Sequence, residues 1–323
     1  MTYRIGLLGA SKIAPGAVIA PAKANPDFEV VAVGARDADR ANAYAEKHGI
    51  PHVATSYDEL VRRDDVDLVY NALPPAGHLE WTIAALEAGK AVLCEKPFAM
   101  NAGEAQRMVD AAKATGQILI EAFHYRYHQM IRDAEALVRS GALGQVQRAS
   151  AVFNVNIQRT PDELRWRAEL GGGGLMDLGC YPIHALRTLI GEEPTVRSAT
   201  GAFEGRVDTK ISAELAFPGG ASATVGCAMV TDALAATLTL EGERGRLEIT
   251  PFIAPQMRGR LTTTIGGETK VQEASGPTSY EAQLAHVGDV LAGKATPLTG
   301  GADAVANMAV IDAIYASAGR LPA

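Results

Sequence analysis

The sequence predicts two domains. The first is an α/β domain on a doubly wound parallel sheet, and the second an α+β domain with a large open, mostly antiparallel sheet. Three observations carry this. Over residues 1–121, near-continuous apolar strands alternate with helical stretches, the pattern of a parallel sheet covered on both faces. From residue 122 that alternation stops. Short strand-like stretches then follow one another closely, with hairpin-type glycines between many of them, Gly219-Gly220 and Gly266-Gly267 included. Finally, 323 residues is long for one domain and comfortable for two. The boundaries are read as 1–121 and 122–323, with the C-terminal helices free to pack back toward the first domain.

Taken in order, "RIGLLGA" and "FEVVAVGA" are strands, and "DADRANAYAEKHG" is a helix ending on Gly49 as a C-cap. "DLVYNAL" and "KAVLCE" are further strands, separated by the helical "GHLEWTIAALEAG". In "NAGEAQRMVDAAKATG", Asn101 caps a helix, Glu104 follows three residues later and Gly116 ends it. "QILIEAF" completes the first sheet. A helix near 128–139 leads into the alternating "QVQRASAVFNVNI". The later strands are "TKISAELAF", "ASATVGCAMV", "ATLTLEG", "GRLEIT" and "RLTTTIG", and helices over 279–292 and 302–318 close the chain.

Composition narrows the function. The chain is 47% hydrophobic and 21% charged, so it builds full cores without staples. A net charge of −7 with no Lys/Arg run argues against nucleic acid or an anionic membrane as partner. Cys94, Cys180 and Cys227 are too few for a disulfide framework and read as small buried thiols in a reducing compartment. No segment approaches the ~20 apolar residues of a membrane helix. No leader pattern precedes the first strand. These features point to a cytoplasmic protein.

The first strand runs into "GLLGASKIAPGAV". Gly6 and Gly9 have the spacing of a dinucleotide fold's opening turn, where residues without side chains let the backbone turn sharply. The following helix then offers its N-terminus to a pyrophosphate. Ser11 stands in place of the second close-approach glycine and Ala14 in place of the third. Gly9, Ala10, Ser11, Lys12 and Ile13 are therefore the candidate phosphate loop. The second strand ends "VGARD". NAD-binding folds usually place an acid there for the ribose 2′-hydroxyl. Small Gly34 and Ala35 followed by the guanidinium of Arg36 suit a 2′-phosphate instead, which favours NADP(H) over NAD(H). The alternative is that Asp37 holds the ribose and Arg36 is a solvated helix-start residue.

"AVLCEKPFAM" raises a separate question, because an apolar strand ends on Glu95, Lys96 and Pro97. Lysine is rarely buried without a reason. The carboxyl end of a strand in an open parallel sheet faces the ligand crevice, and Pro97 ends the strand. Farther on, Asp177, Tyr181 and His184 lie at i, i+4 and i+7, which share one face of a continuous helix. Pro182 must then sit in the first turn, leaving Asp177 just before the helix proper.

"ALEAGKAVLCEKPFAMNAGEA" and "GGGGLMDLGCYPIHALRTLIGEEP" closely resemble the two signatures of the Gfo/Idh/MocA oxidoreductases. "YNALPPAGHLEWTIAALEAGK" resembles their fourth-strand loop, and "EAFHYRYH" their link into the second domain. The resemblance covers nearly the whole chain and implies a Rossmann domain followed by a substrate domain. It implies that Lys96 is the catalytic lysine, with a cis Lys96–Pro97 bond, and that Glu95 orients the site or the cofactor ribose. Leu73, Pro74, His78, Glu95, Lys96 and Pro97 join Ala35, Arg36 and the first loop on the cofactor side. Asp177 implies a hydrogen bond to substrate, Tyr181 the acid/base group, and His184 a substrate contact where other members place Asn or Asp. Arg126 and Arg165 flank the expected crevice, and Trp166 offers a face for sugar stacking.

The reading is an NAD(P)-dependent oxidoreductase acting on a sugar, polyol or related small hydroxy or carbonyl compound. Lys96 or Tyr181 serves as the base. A lysine with its ordinary pKa of about 10.4 is a poor base at neutral pH, so desolvation is expected to lower it. Two rivals are a regulator that senses NADP and sugar without turnover, and a keto-sugar or dicarbonyl reductase. A zinc site among His124, His128, Asp177 and His184 lacks HxxxH-Glu or CxxC spacing, and a serine triad lacks a GxSxG elbow. Cys180 and His184 lie at i, i+4, as a thiolate pair would, but the resemblance implies varied side chains at this position. No metal is expected. The resemblance implies that the second sheet's open face builds a homodimer or homotetramer; read as apolar along "ASATVGCAMV" and "ATLTLEG", that face would need such cover.

Overall fold

The computed structural model describes residues 2–319. The chain divides into two compact units, Met1–His124 with Tyr280–Val305, and Tyr125–Ser279 with Ala306–Ala323.

The first unit holds six strands: β1 (Tyr3–Leu8), β2 (Phe28–Gly34), β3 (His52–Ala54), β4 (Leu68–Asn71), β5 (Ala91–Cys94) and β6 (Leu119–Glu121). All pair in parallel in the order β3-β2-β1-β4-β5-β6. This order reverses direction beside β1, the switch point at which such sheets bind dinucleotides. The sheet buries Ile5, Leu7, Val33, Leu68, Leu93 and Ile120 in one cluster.

Helices follow most strands. A π-turn over Pro15–Ile19 leads into α1 (Ala20–Ala24). The others are α2 (Ala38–His48), α3 (Tyr57–Arg62), α4 (His78–Glu87) and α5 (Ala102–Thr115). Their ends obey the expected chemistry. Gly49 and Gly116 close α2 and α5 in the left-handed region, and Asn101 accepts the Glu104 N–H. Glu104 reaches back to the Met100 N–H at 3.1 Å, one residue before the cap. The chain returns to this unit late, where α8 (Ser279–Leu291) adds Leu284, Val287 and Val290 to the same core.

The second unit carries α6 (Gln129–Arg139), α7 (Cys180–Ile190), most of α9 (Ala302–Ser317) and eight strands. These are β7 (Val146–Asn154), β8 (Thr195–Glu204), β9 (Val207–Ala216), β10 (Ser222–Ala228), β11 (Ala235–Gly242), β12 (Gly245–Thr250), β13 (Arg260–Ile265) and β14 (Glu268–Glu273). Their order is β14-β13-β12-β11-β7-β10-β9-β8, antiparallel throughout except where β10 lies parallel to β7.

Strand alternation corrects one expectation. In "ASATVGCAMV" and "ATLTLEG" the apolar residues Ala223, Val225, Cys227, Leu238 and Leu240 are buried. Because side chains alternate, the opposite face carries Thr224 beside Glu214 and Ser150, and Gly226 beside Ser212 and Val152. That face is threonine- and serine-rich rather than apolar.

Cys94, Cys180 and Cys227 are buried free thiols, and burial pushes Cys94 and Cys227 well above the ordinary thiol range. No helix among the described residues is long and apolar enough to cross a membrane.

Candidate functional site

In the first unit the chain ends of β1, β2 and β4 converge on Gly9. Its φ of 94° lies in the left-handed region, and a Cβ there would stand 3.2 Å from Leu73 Cδ2. The Gly9 N–H donates to the Gly34 carbonyl at 2.8 Å. Ala10 is buried, Ser11 is half-buried, and Lys12 and Ile13 are exposed. Ser11 Oγ accepts the Ala14 N–H at 3.2 Å, so its side chain closes the loop onto the following helix.

Two residues that the sequence reading did not single out hold this loop from α2. Arg40 Nη2 donates to the Ala10 carbonyl at 2.8 Å, and the Tyr44 hydroxyl donates to the Ser11 carbonyl at 3.0 Å. Their i, i+4 spacing is the only local hint that they work together. Burial pushes the Tyr44 hydroxyl up to about 12, so it remains a donor across the physiological range.

The end of β2 bears on cofactor fit. Asp37 Oδ1 accepts the Arg40 N–H at 2.9 Å and caps α2. The carboxylate at the end of β2 is thus engaged at a helix N-terminus. Arg36 is exposed, next to half-buried Ala35. A surface guanidinium therefore stands beside small residues at the end of β2, where a cofactor ribose would lie.

His78 ties the fourth-strand loop to the end of β5. Its Nε2 lies 2.8 Å from the Leu73 carbonyl, and its Nδ1 lies 3.1 Å from that of Pro97 and 3.2 Å from that of Phe98. The ring is buried, and burial lowers its pKa. Leu73 and Pro74 are half-buried, and the Leu73 N–H donates to Asn71 Oδ1 at 3.3 Å.

At the end of β5, Glu95 is 8% exposed, and its Oε1 accepts the Tyr70 hydroxyl at 2.5 Å. Lys96 is half-buried, and its backbone N–H approaches Glu95 Oε2 at 3.3 Å. The Lys96–Pro97 bond is cis, and Pro97 is buried. Two aromatic rings join this cluster from distant parts of the chain. His124 stacks on Tyr280 of α8 with ring centroids 4.0 Å apart. Burial, with a smaller push from the positive charge of Lys96, lowers His124 to about 3. Burial, with the Glu95 carboxylate adding to it, raises Tyr280.

The His124 shift has a stability consequence. The unfolded chain takes up a proton below the ordinary value of 6.5, whereas the folded chain does so only near 3. Above 6.5 both states are neutral and nothing is lost. Between 6.5 and 3 the unfolded state binds more protons, so stability falls as pH falls. At pH 5 the loss from this one group is about 2 kcal/mol. Urea unfolding near pH 7 and near pH 5 is expected to show a shallower acid loss in His124→Phe than in the wild type.

In the second unit a π-turn over Leu175–Gly179 runs directly into α7. Asp177 lies on that turn, before the α-helix proper, and Pro182 falls in the first turn of α7. Arg165 Nε meets Asp177 Oδ2 at 2.5 Å while its Nη1 meets Glu163 Oε1 at 2.9 Å. The Asp177 carboxylate is the main cause of a raised Arg165 pKa. Tyr181 is 5% exposed and stands between Tyr125 and Phe153, edge-on to both at 5.9 and 5.8 Å. The Tyr125 hydroxyl lies 2.6 Å from His184 Nδ1, and none of the His184 surface is exposed.

Asp177 and Arg165 are therefore in direct contact, and Tyr181 and His184 meet around Tyr125. Trp166 and Arg126 have other partners. Trp166 Nε1 donates to the Ile157 carbonyl at 3.3 Å, and the Arg159 guanidinium lies 5.1 Å from its ring centroid. Arg126 Nη2 approaches Glu135 Oε1 of α6 at 3.4 Å.

Comparison with known proteins agrees with this architecture. Residues 3–123 match the model of the oxidoreductase family with an NAD-binding Rossmann fold, and residues 131–248 match the Gfo/Idh/MocA C-terminal domain. A D-xylose 1-dehydrogenase (NADP(+)) of Haloferax volcanii is 34% identical over 317 residues, 97% of this chain and 96% of that protein. The trans-1,2-dihydrobenzene-1,2-diol dehydrogenase of Oryctolagus cuniculus is 34% identical over 82% of each chain. Among solved structures, an aldose-aldose oxidoreductase from Caulobacter crescentus in complex with glycerol superposes with a TM-score of 0.91 at 29% identity. That match covers 99% of this chain and 98% of that one. A 3-ketoreductase from Actinomadura kijaniata with NADP gives 0.90 at 26% identity over 98% of each chain. With both domain models matched and a relative above 30% identity along nearly its whole length, the chain belongs to the Gfo/Idh/MocA family and is an NAD(P)-dependent oxidoreductase.

Proposed function

We propose that the protein is an NADP(H)-preferring dehydrogenase of a small sugar or polyol. The observation that carries the reading is the end of β5. There a half-buried Lys96 follows a buried Glu95 held by Tyr70, with the His124–Tyr280 stack beside them. Bound NADP⁺ supplies the acceptor for the hydride of a carbinol carbon. Lys96 or, as the alternative, Tyr181 takes the hydroxyl proton, work worth ~10²–10⁴-fold in rate. Asp177, oriented by Arg165, accepts a hydrogen bond from a substrate hydroxyl. The full burial of His184 favours a supporting role behind Tyr125 over direct contact with substrate. Trp166, held by the Ile157 carbonyl, and Arg126, beside Glu135, are the further candidates for sugar contact. Lys96 and Tyr181 together argue against a sensor that does not turn over. The same two groups run the reaction in reverse on a keto-sugar.

Arg36 would carry the NADP preference. A charged hydrogen bond to a 2′-phosphate is worth about 1.5–3 kcal/mol, so Arg36→Asp is expected to lower kcat/KM for NADP⁺ by ~10–100-fold. NAD⁺ should be unaffected or improved. Equal losses with both cofactors would place the phosphate elsewhere.

We also propose a cytoplasmic enzyme that forms a homodimer or homotetramer through the second sheet, whose central row of Ser212, Gly226, Val152 and Thr237 carries no charge. Light scattering during gel filtration reads the oligomer directly. The functional test is a nicotinamide absorbance assay with NADP⁺ or NAD⁺ against aldoses, inositols and trans-dihydrodiols, then NADPH against keto-sugars. Turnover with one class supports the reading. Silence in both directions with tight cofactor binding favours the sensor.

A further inference from the structure

We propose that Asp208 is a positioning residue for Asp177 and Tyr181, acting through the glycine run that opens their helix. This rests on the reading of those two residues as the substrate-side pair. Asp208 lies near the start of β9 and has no exposed surface. Its Oδ2 accepts the N–H of Leu175, the first residue of the helical stretch that carries Asp177 and Tyr181, at 2.6 Å. Its Oδ1 accepts the Tyr315 hydroxyl of α9 at 2.7 Å. The carboxylate thus acts as an N-cap delivered from another strand, where the helix end favours negative charge.

The chain between cap and site has little room to shift. Gly173 has φ 136°, and a Cβ there would overlap Asp208 Oδ1. A Cβ at Gly174 would stand 3.3 Å from Asp208 Oδ2. On the other side, the Gly172 N–H donates to the Arg167 carbonyl at 3.0 Å, and a Cβ at Gly172 would stand 2.6 Å from the Arg165 carbonyl. The glycine run is therefore held between Asp208 and the segment whose Arg165 side chain returns to Asp177. The Asp177 N–H in turn donates to the Gly173 carbonyl at 3.0 Å. Moving Asp208 moves Gly173, and with it both the carboxylate and the register of Tyr181 one turn on. Misplacement of about 1 Å at a reacting centre costs on the order of 10²-fold.

The test compares Asp208→Ala, Asp208→Asn and Tyr315→Phe, with Asp177→Asn and Tyr181→Phe as controls. Asparagine can keep both contacts, accepting from Leu175 and donating to the Tyr315 oxygen. Asp208→Ala is expected to lower kcat with the sugar by at least ~10-fold and Tyr315→Phe by ~3–10-fold. Asp208→Asn is expected to stay within about threefold of wild type. NADPH affinity by fluorescence titration should be unchanged in all three. If Asp208→Ala does not fold, Tyr315→Phe decides. Wild-type kcat in Tyr315→Phe and in any folded Asp208→Ala overturns the proposal. So does parallel loss of sugar turnover and NADPH binding, which marks a general folding defect. If the two controls leave turnover intact, the reading of Asp177 and Tyr181 fails instead.

Discussion

Lys96→Ala is expected to lower kcat by ~10²–10⁴-fold while NADPH still binds within about tenfold of wild type. The side chain is half-buried at the carboxyl end of β5, beside the Glu95–Tyr70 hydrogen bond and the His124–Tyr280 stack. Those neighbours belong to the same unit and survive the truncation, so the fold of the cofactor side is retained. What is lost is a group that can take the hydroxyl proton. Lys96→Arg should not restore the rate, because a guanidinium stays protonated and cannot act as a base. Steady-state kinetics over a pH series, with fluorescence titration of NADPH, measures both quantities. A variant that keeps wild-type kcat would remove Lys96 from the chemistry.

The second large effect is structural in origin and functional in consequence. Gly173→Ala forces a side chain into the left-handed region and against the buried Asp208 carboxylate. Backbone strain and overpacking each cost about 1–3 kcal/mol, so a loss of about 2–6 kcal/mol is expected in urea unfolding. Sugar turnover should fall with it, since Asp177 hangs from the Gly173 carbonyl. Gly16→Ala is the matched control. Gly16 is exposed in the helical stretch Pro15–Ile19 and a Cβ there meets nothing within 4 Å, so its stability should hold or rise, by up to about 1 kcal/mol.

Much of this was legible in the sequence because the signals are local. Apolar strands ending in glycine, caps such as Asn101 and Gly49, and the charged end of β5 all follow from residues within a few positions of one another. Short elements were not legible. β3 has three residues and α3 six, too few for a period to show. β14 is exposed at every position, so no apolar face announces it. The apolar residues of "ASATVGCAMV" were visible, but their alternation sends them to the core and leaves the open face polar.

The site divides in the same way. The first loop, Arg36, Glu95, Lys96 and Pro97 follow strand ends, where parallel α/β sheets bind ligands, and His78 opens α4 after the fourth-strand loop. Tyr280 on His124, Asp208 on Leu175 and Tyr315 on Asp208 join residues far apart in the chain, and nothing in local pattern reveals them. The π-turns over Pro15–Ile19 and Leu175–Gly179 were also invisible, because they alter helical geometry without a characteristic composition. The Leu175–Gly179 turn puts Asp177 on a widened turn ahead of α7.

The most direct test of the central claim follows the transferred atom. A sugar found active in the absorbance assay would be deuterated at the reacting carbinol carbon and incubated with NADP⁺ and the wild-type protein. Mass spectrometry of the reduced cofactor should show one deuterium per turnover, with a primary isotope effect on kcat/KM if the transfer step limits it. A reduced cofactor that carries only solvent hydrogen would contradict the account.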